Sequence, residues 1–230
     1  MSEQVSKLKA LFDENKNAAN TGPMEAYMKH HFPFLGIKAP ERTRLTRQFL
    51  NETAIHKGKT LPVSFLKELW ALPEREYHYT AIEITARMHK VYEKEHLPFF
   101  EELIVTNSWW DSVDGLAPNV LGPYFKAYPD RLHHADKWAL HENMWLRRTA
   151  ILYQLKEKEQ TDEERLFRYC RKNAQDPEFF IRKAIGWALR EYSKTKPGPV
   201  ENFIDKESLS NLSKREGLKQ IQRVKKECSW

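Results

Sequence analysis

Cysteine, glycine and long apolar runs are all scarce in this chain, and each scarcity removes a class of protein. Only Cys170 and Cys228 occur, 58 positions apart. That excludes a disulfide framework and a cysteine-based zinc site, and makes the reducing cytoplasm the expected compartment. Eight glycines in 230 residues are half the usual ~7 %. Neither a Walker pattern nor G-x-G-x-x-G is present, which argues against a phosphate-loop enzyme. The longest stretch without Asp, Glu, Lys or Arg is Gly115 to Phe125, 11 residues against the ~18 that a membrane span needs. The opening MSEQVSKLKALFDENKN is charged throughout and lacks the apolar centre of a signal peptide. The nine histidines include the pairs His30-His31 and His133-His134, but none forms H-E-x-x-H or another zinc ligand set. No G-x-S-x-G supports serine catalysis. The expectation is a protein with no metal, no cofactor and no membrane segment.

Aromatic residues, by contrast, are plentiful. They make up 12 % of the chain, seven of them Trp, alongside 40 % hydrophobic residues. Such a composition argues against disorder and supplies a sizeable core. Charge is unevenly distributed. Residues 1–144 carry 18 Lys and Arg against 19 Asp and Glu, whereas residues 145–230 carry 20 against 13. The whole net charge of +6 therefore resides in the last third. A basic end interleaved with aromatics points to a polyanion, of which nucleic acid is the commonest, although a Lys-rich solvated face gives the same count.

The periodicity is helical almost everywhere and alternating β-branched runs are absent, so the fold is expected to be all-α. Helices are expected at Met24–His31, Trp109–Phe125, Asn143–Glu157 and Pro177–Ser193, among others. The linkers between them are short, and residues 1–230 read as one continuous unit. A repeat shows through: Trp110, Trp145 and Phe180 are each 35 residues apart, and each opens a hydrophobic helix. Two helices per repeat at this period give an α-helical solenoid of HEAT-like pairs, a fold that presents a concave face.

The segment Asn107-Ser108-Trp109-Trp110-Asp111-Ser112-Val113-Asp114 carries the most chemical information. Ser108 and Asp111 form S-x-x-D, which reads as a capping box. Asp114 lies one turn further in, where a cap has no use for it. Trp109, Val113, Leu116, Ala117 and Val120 make the core-facing stripe. Trp110 and Asp114 are also four apart, but on the adjacent face. A Trp beside a carboxylate off the core is a candidate site, or else a half-buried Trp with a solvated neighbour. In the next repeat, Arg147 and Arg148 interrupt an otherwise apolar helix and need an anionic partner, which Asp114 or a ligand phosphate could supply. In the third, Ile181, Ala184, Ile185, Ala188 and Leu189 form the core stripe, with Lys183, Trp187 and Arg190 beside it. Trp187 between two cations suits an anionic ligand, or marks an amphipathic Trp at the core edge.

These residues occur in a recognisable series. Tyr27-Met28-Lys29-His30-His31-Phe32 comes first, then Glu68-Leu69-Trp70 with Leu72-Pro73-Glu74-Arg75-Glu76. Ser108-Trp109-Trp110-Asp111-Ser112-Val113-Asp114 and Trp145-Leu146-Arg147-Arg148-Thr149-Ala150 follow. Ala184-Ile185-Gly186-Trp187-Ala188-Leu189-Arg190-Glu191-Tyr192 and Ser213-Lys214-Arg215-Glu216 close it. The chain thus resembles, over roughly residues 20 to 220, the bacterial AlkD-type DNA glycosylases of the alkylation-repair family. The resemblance implies helical pairs curved around duplex DNA and release of N3- and N7-alkylated purines, such as 3-methyladenine and 7-methylguanine, by N-glycosidic hydrolysis. It places the catalytic carboxylate at Asp114, the flanking aromatics at Trp110 and Trp187, a site arginine at Arg148 and a further cleft residue at Tyr27. Arg148, Arg190 and Lys214 are then expected to hold phosphates. The expected partner is double-stranded DNA bearing alkylated purines, bound by a monomer. The family is described as leaving the lesion stacked in the duplex, where glycosylases in general flip the base. A non-enzymatic helical repeat that grips DNA or RNA backbone is the competing reading. Asp114 separates the two, since a phosphate-binding surface gains nothing from a carboxylate beside its aromatic anchors.

Overall fold

A computed structural model describes residues 1–227, and Cys228 lies outside them. The described residues are helical with short connections, and contain no strand. None of their helices is long and apolar enough to cross a membrane. They fall into two compact units, Met1–Phe99 and the residues from Phe100 onward.

In the first unit, α1 (Glu3–Glu14) buries Val5, Leu8 and Phe12 along one face. Helix α2 spans Ala18–Tyr27, not the expected Met24–His31. Asn17 caps it by accepting from the Ala19 N–H at 3.1 Å, and the helix runs through Pro23 instead of starting after it. It stops at Tyr27 because Lys29 and His30 take left-handed φ of 56° and 57°, which no helix continues. Helices α3 (Ala39–Thr53), α4 (Val63–Trp70) and α5 (Arg75–Arg87) complete the unit. The Tyr77 ring of α5 stacks on Phe12 at 5.4 Å. The buried Glu76 carboxylate ties the loop before α3 to α5, accepting from the N–H groups of Leu35, Gly36 and Ile37 at 3.0–3.1 Å. Gly36 is required there: its φ is +83°, and a Cβ would sit 2.0 Å from the Asn17 carbonyl oxygen.

The division between units falls inside α6 (Leu97–Val105). In the second unit, the expected helix Trp109–Phe125 is broken into α7 (Trp110–Leu116), a π turn over Ala117–Leu121, and α8 (Gly122–Ala127). Pro118 explains the break. It lacks the N–H that would bond the Asp114 carbonyl, so the ladder widens for one turn. The Asn119 side chain then donates to the Gly115 carbonyl at 2.7 Å.

Helices α9 (Leu132–Trp138), α10 (Met144–Leu152), α11 (Glu163–Lys172), α12 (Phe179–Tyr192), α13 (Pro197–Lys206) and α14 (Asn211–Glu227) follow. The 35-residue repeat is visible in space. Helix α10 packs against both α7 and α12, while α9 and α11 flank α10 and α13 flanks α12. This layering of helical pairs is that of an α-helical solenoid. The expected core stripes are buried: Val113, Leu116, Ala117 and Val120 on α7 and the π turn, and Ile181, Ala184, Ile185, Ala188 and Leu189 on α12. Trp109, one residue before the repeat position, joins the aromatic seam between layers. Its ring lies 5.8 Å from Trp145 and 5.1 Å from Phe180, which are 5.3 Å from each other.

Candidate functional site

The site begins at the N-terminus of α7. Trp109 is extended and occupies the capping position. Its N–H donates to the Ser112 hydroxyl at 3.4 Å, and that hydroxyl donates back to the Trp109 carbonyl at 3.1 Å. The expected box of Ser108 and Asp111 therefore shifts by one residue. Ser108 instead donates back to the Ile104 carbonyl at 2.7 Å, closing α6. With this start, Trp110 and Asp114 stand one turn apart on the same face of α7.

Asp114 is gripped by Arg148 of α10. The Arg148 Nε donates to one carboxylate oxygen and Nη2 to the other, both at 2.8 Å. The third arm of the guanidinium, Nη1, donates to the Phe180 carbonyl in the first turn of α12. Arg148 is only 4 % exposed. A charge so buried needs a partner, and the planar fork of Arg matches a carboxylate bidentately. One side chain thereby ties three successive repeats together. Of the two partners open from sequence, the protein's own carboxylate is the one that Arg148 takes. Burial pushes the Asp114 carboxyl above the usual carboxylate range, and the pair with Arg148 opposes that shift. Arg147 turns away from this site. It donates to Asp176 through Nε at 3.1 Å and to the carbonyls of His141 and Glu142 at 2.7 Å each.

The face of Asp114 and Trp110 opens on a cleft of about 300 Å³. Arg148 lines it, with Lys183, Trp187 and Arg190 from α12. Phe179 and Phe180 form its apolar edge, and Glu216 of α14 contributes a second carboxylate. Five sequence-derived site residues are thus brought together: Trp110, Asp114, Arg148, Trp187 and Arg190. Lys214 lies half-exposed near the start of α14, outside the lining residues. Tyr27 ends α2 in the first unit and is 68 % exposed.

The sequence matches a family model described as DNA alkylation repair enzyme over residues 8–221. The chain belongs to this family. A solved structure from Enterococcus faecalis, described as a predicted DNA alkylation repair enzyme, is similar at 36 % identity with a TM-score of 0.81. The match covers 89 % of this chain and 95 % of that one. The smu.31 protein of Streptococcus mutans UA159 shares the fold at 21 % identity and a TM-score of 0.56, over 77 % of this chain and 96 % of that one. No curated protein matches.

In this alkylation-repair family member Glu216, the last residue of the matched series, has a place at the site that local spacing does not show. Its side chain is almost fully buried, yet it faces three cations: Lys219 at 2.7 Å, Lys183 at 3.2 Å and Arg190 at 3.3 Å. Bonds from Lys219 first, and then from Lys183, hold its carboxyl below the usual range. The pairing with Lys219 is the ordinary three-residue helical spacing. The pairing with α12 depends on Gly186, where a Cβ would lie 2.5 Å from the Glu216 Cβ. That close approach between helices 30 residues apart leaves no local signal in the sequence.

Proposed function

We propose that this protein is a DNA glycosylase that releases N3- and N7-alkylated purines from duplex DNA by hydrolysing the N-glycosidic bond. The observation that supports it is a carboxylate, Asp114, oriented by a buried arginine in the same cleft as two indoles and two further cations. Alkylation at N7 or N3 makes the purine cationic, so it departs as a neutral base and needs little general-acid help. Positive charge then develops on the deoxyribose. A carboxylate in a partly water-excluded cleft stabilises that charge and can orient the attacking water.

The surroundings of Asp114 suit a fixed charge better than a mobile proton acceptor. Both its oxygens already accept from Arg148, which favours the ionised form against the burial that opposes it and fixes the group at the cleft. The faces of Trp110 and Trp187 attract cationic groups, by about 0.5–2 kcal/mol each, which favours an alkylated base or sugar cation over a normal nucleotide. Arg148 is reassigned in this reading: it positions Asp114, and phosphate binding falls to the more exposed Arg190 and to Lys214.

The test is incubation with duplex DNA carrying 7-methylguanine, followed by assay for free base. The wild type is expected to release it and Asp114→Asn to be severely impaired. No release by the wild type overturns the glycosylase reading in favour of a protein that only binds the backbone. Equal release by Asp114→Asn overturns the role of Asp114 alone.

A further inference from the structure

Glu216 has no part in the chemistry proposed above, yet it is placed with unusual economy. It meets α12 at Gly186, where an added Cβ would lie 2.5 Å from the Glu216 Cβ. From there its carboxylate lies between Lys183 and Arg190, one oxygen on each. Lys183, Trp187 and Arg190 are spaced four and three along α12 and share one face. The carboxylate therefore fixes one cation on each flank of Trp187.

We propose that Glu216 is a positioning residue that holds Lys183 and Arg190 as a clamp for a DNA phosphodiester group at the mouth of the cleft. The proposal rests on the glycosylase reading for its kinetic consequence, but not for its binding consequence. One negative charge faces three positive ones, so the cluster retains an excess of cation and attracts an anion. The two clamp side chains remain 38 % and 33 % exposed, while Glu216 is buried beneath them. Among the described residues Arg190 gives only Nη1 to Glu216, which leaves its other donors for a ligand. Stability alone does not call for this arrangement. Lys219 already pairs the buried carboxylate at 2.7 Å, further pairs to side chains as exposed as Lys183 and Arg190 contribute little, and the α12–α14 seam already closes on Gly186 and Gly217, the latter against Ile204 and Leu189. What the carboxylate supplies is order: it fixes where the two cations hold the phosphate, and so where the attached sugar lies relative to Asp114.

The experiment compares wild type, Glu216→Gln, Glu216→Asp, Lys183→Met and Arg190→Met. Binding is read by fluorescence anisotropy on unmodified duplex across a salt series, and base release under single-turnover conditions on 7-methylguanine duplex. Glu216→Gln is expected to bind as tightly as wild type or more tightly, because a negative charge has left a cationic cluster. Its single-turnover rate at saturating DNA is expected to fall about tenfold, because the clamp is no longer fixed. Glu216→Asp keeps the charge and is expected to recover part of that rate. Lys183→Met and Arg190→Met are each expected to lower the slope of log K against log salt by about 1. Parallel loss of binding and rate in Glu216→Gln marks a merely structural residue and overturns the proposal. So does an unchanged rate, or an unchanged salt slope in both cation variants. If Glu216→Gln does not fold, the two salt slopes decide. If the wild type releases no base, the glycosylase reading fails by itself and the clamp stands or falls on binding.

Discussion

Arg148 donates to both carboxylate oxygens of Asp114 at 2.8 Å, and its remaining arm reaches the backbone of the next repeat at Phe180. The two residues are 34 positions apart, one short of the 35-residue repeat, and lie on adjoining layers, so the bond forms only when the layers stack in register. Folding and assembly of the site are the same event. The site's central carboxylate is consequently held by a helix other than its own, which fixes it more rigidly than a surface rotamer would be.

Replacing Arg148 therefore tests both stability and function. Arg148→Met leaves the Asp114 charge buried without its partner and is expected to cost about 3–5 kcal/mol. Arg148→Lys keeps the charge but not the fork, and should fall between the two. Urea denaturation followed by circular dichroism gives the measurement. A midpoint unchanged in Arg148→Met would mean that the pair contributes nothing.

The raised Asp114 pKa sets a direction for pH dependence. Its carboxyl keeps its proton to higher pH than an ordinary Asp because burial disfavours the charge. If the ionised form is the active one, base release climbs as pH rises through this elevated pKa, after subtraction of spontaneous loss. The same group affects stability with the opposite sign. A carboxyl whose folded pKa lies above its unfolded value favours the fold most at low pH, below the unfolded value. That contribution is lost as pH rises through the folded pKa. Asp114→Asn should flatten both effects, and an identical pH profile of urea midpoints in the two proteins would show that Asp114 is not the group responsible.

Gly186→Ala places a methyl 2.5 Å from the Glu216 Cβ and 3.0 Å from the Ser213 carbonyl oxygen. Both are backbone or next to it, so neither can rotate aside and α14 must shift. An overpacking cost of about 1–3 kcal/mol is expected, seen as a lowered melting temperature. Displacing Glu216 should also disorder the flanks of Trp187 and slow base release more than it weakens DNA binding. A variant that melts and turns over like wild type would show that the seam has slack.

Parts of this site could be read from sequence because their determinants are local. The face shared by Trp110 and Asp114 follows from helical spacing alone, and so do the buried stripes of α7 and α12. The 35-residue spacing placed Trp145 and Phe180 in adjoining layers, where their rings meet. Arg148 was recognisable as a cation in need of an anion, but spacing could not choose between Asp114 and a ligand. Other parts depended on contacts across the fold. Pro118 is easily missed as a break because Gly115 to Phe125 carries no charge and the apolar spacing runs on through it. The end of α2 depended on two consecutive left-handed residues, neither of them glycine. The contacts of Glu216, which closes the matched series, could not be read because they require the close approach at Gly186.

Glu76 provides a test confined to the first unit. Its buried carboxylate accepts from three consecutive backbone N–H groups, Leu35 to Ile37, and burial raises its pKa while those bonds lower it. Glu76→Gln keeps the size but replaces one acceptor oxygen with an NH₂ group that must face N–H donors. At least one backbone donor is then left unsatisfied in the interior, which costs about 1–3 kcal/mol. The variant should unfold at lower urea, and amide exchange at Leu35, Gly36 and Ile37 should accelerate beyond what the global loss of stability accounts for. Unchanged protection at those three amides would show that the loop is held by Gly36 and its packing, not by the carboxylate.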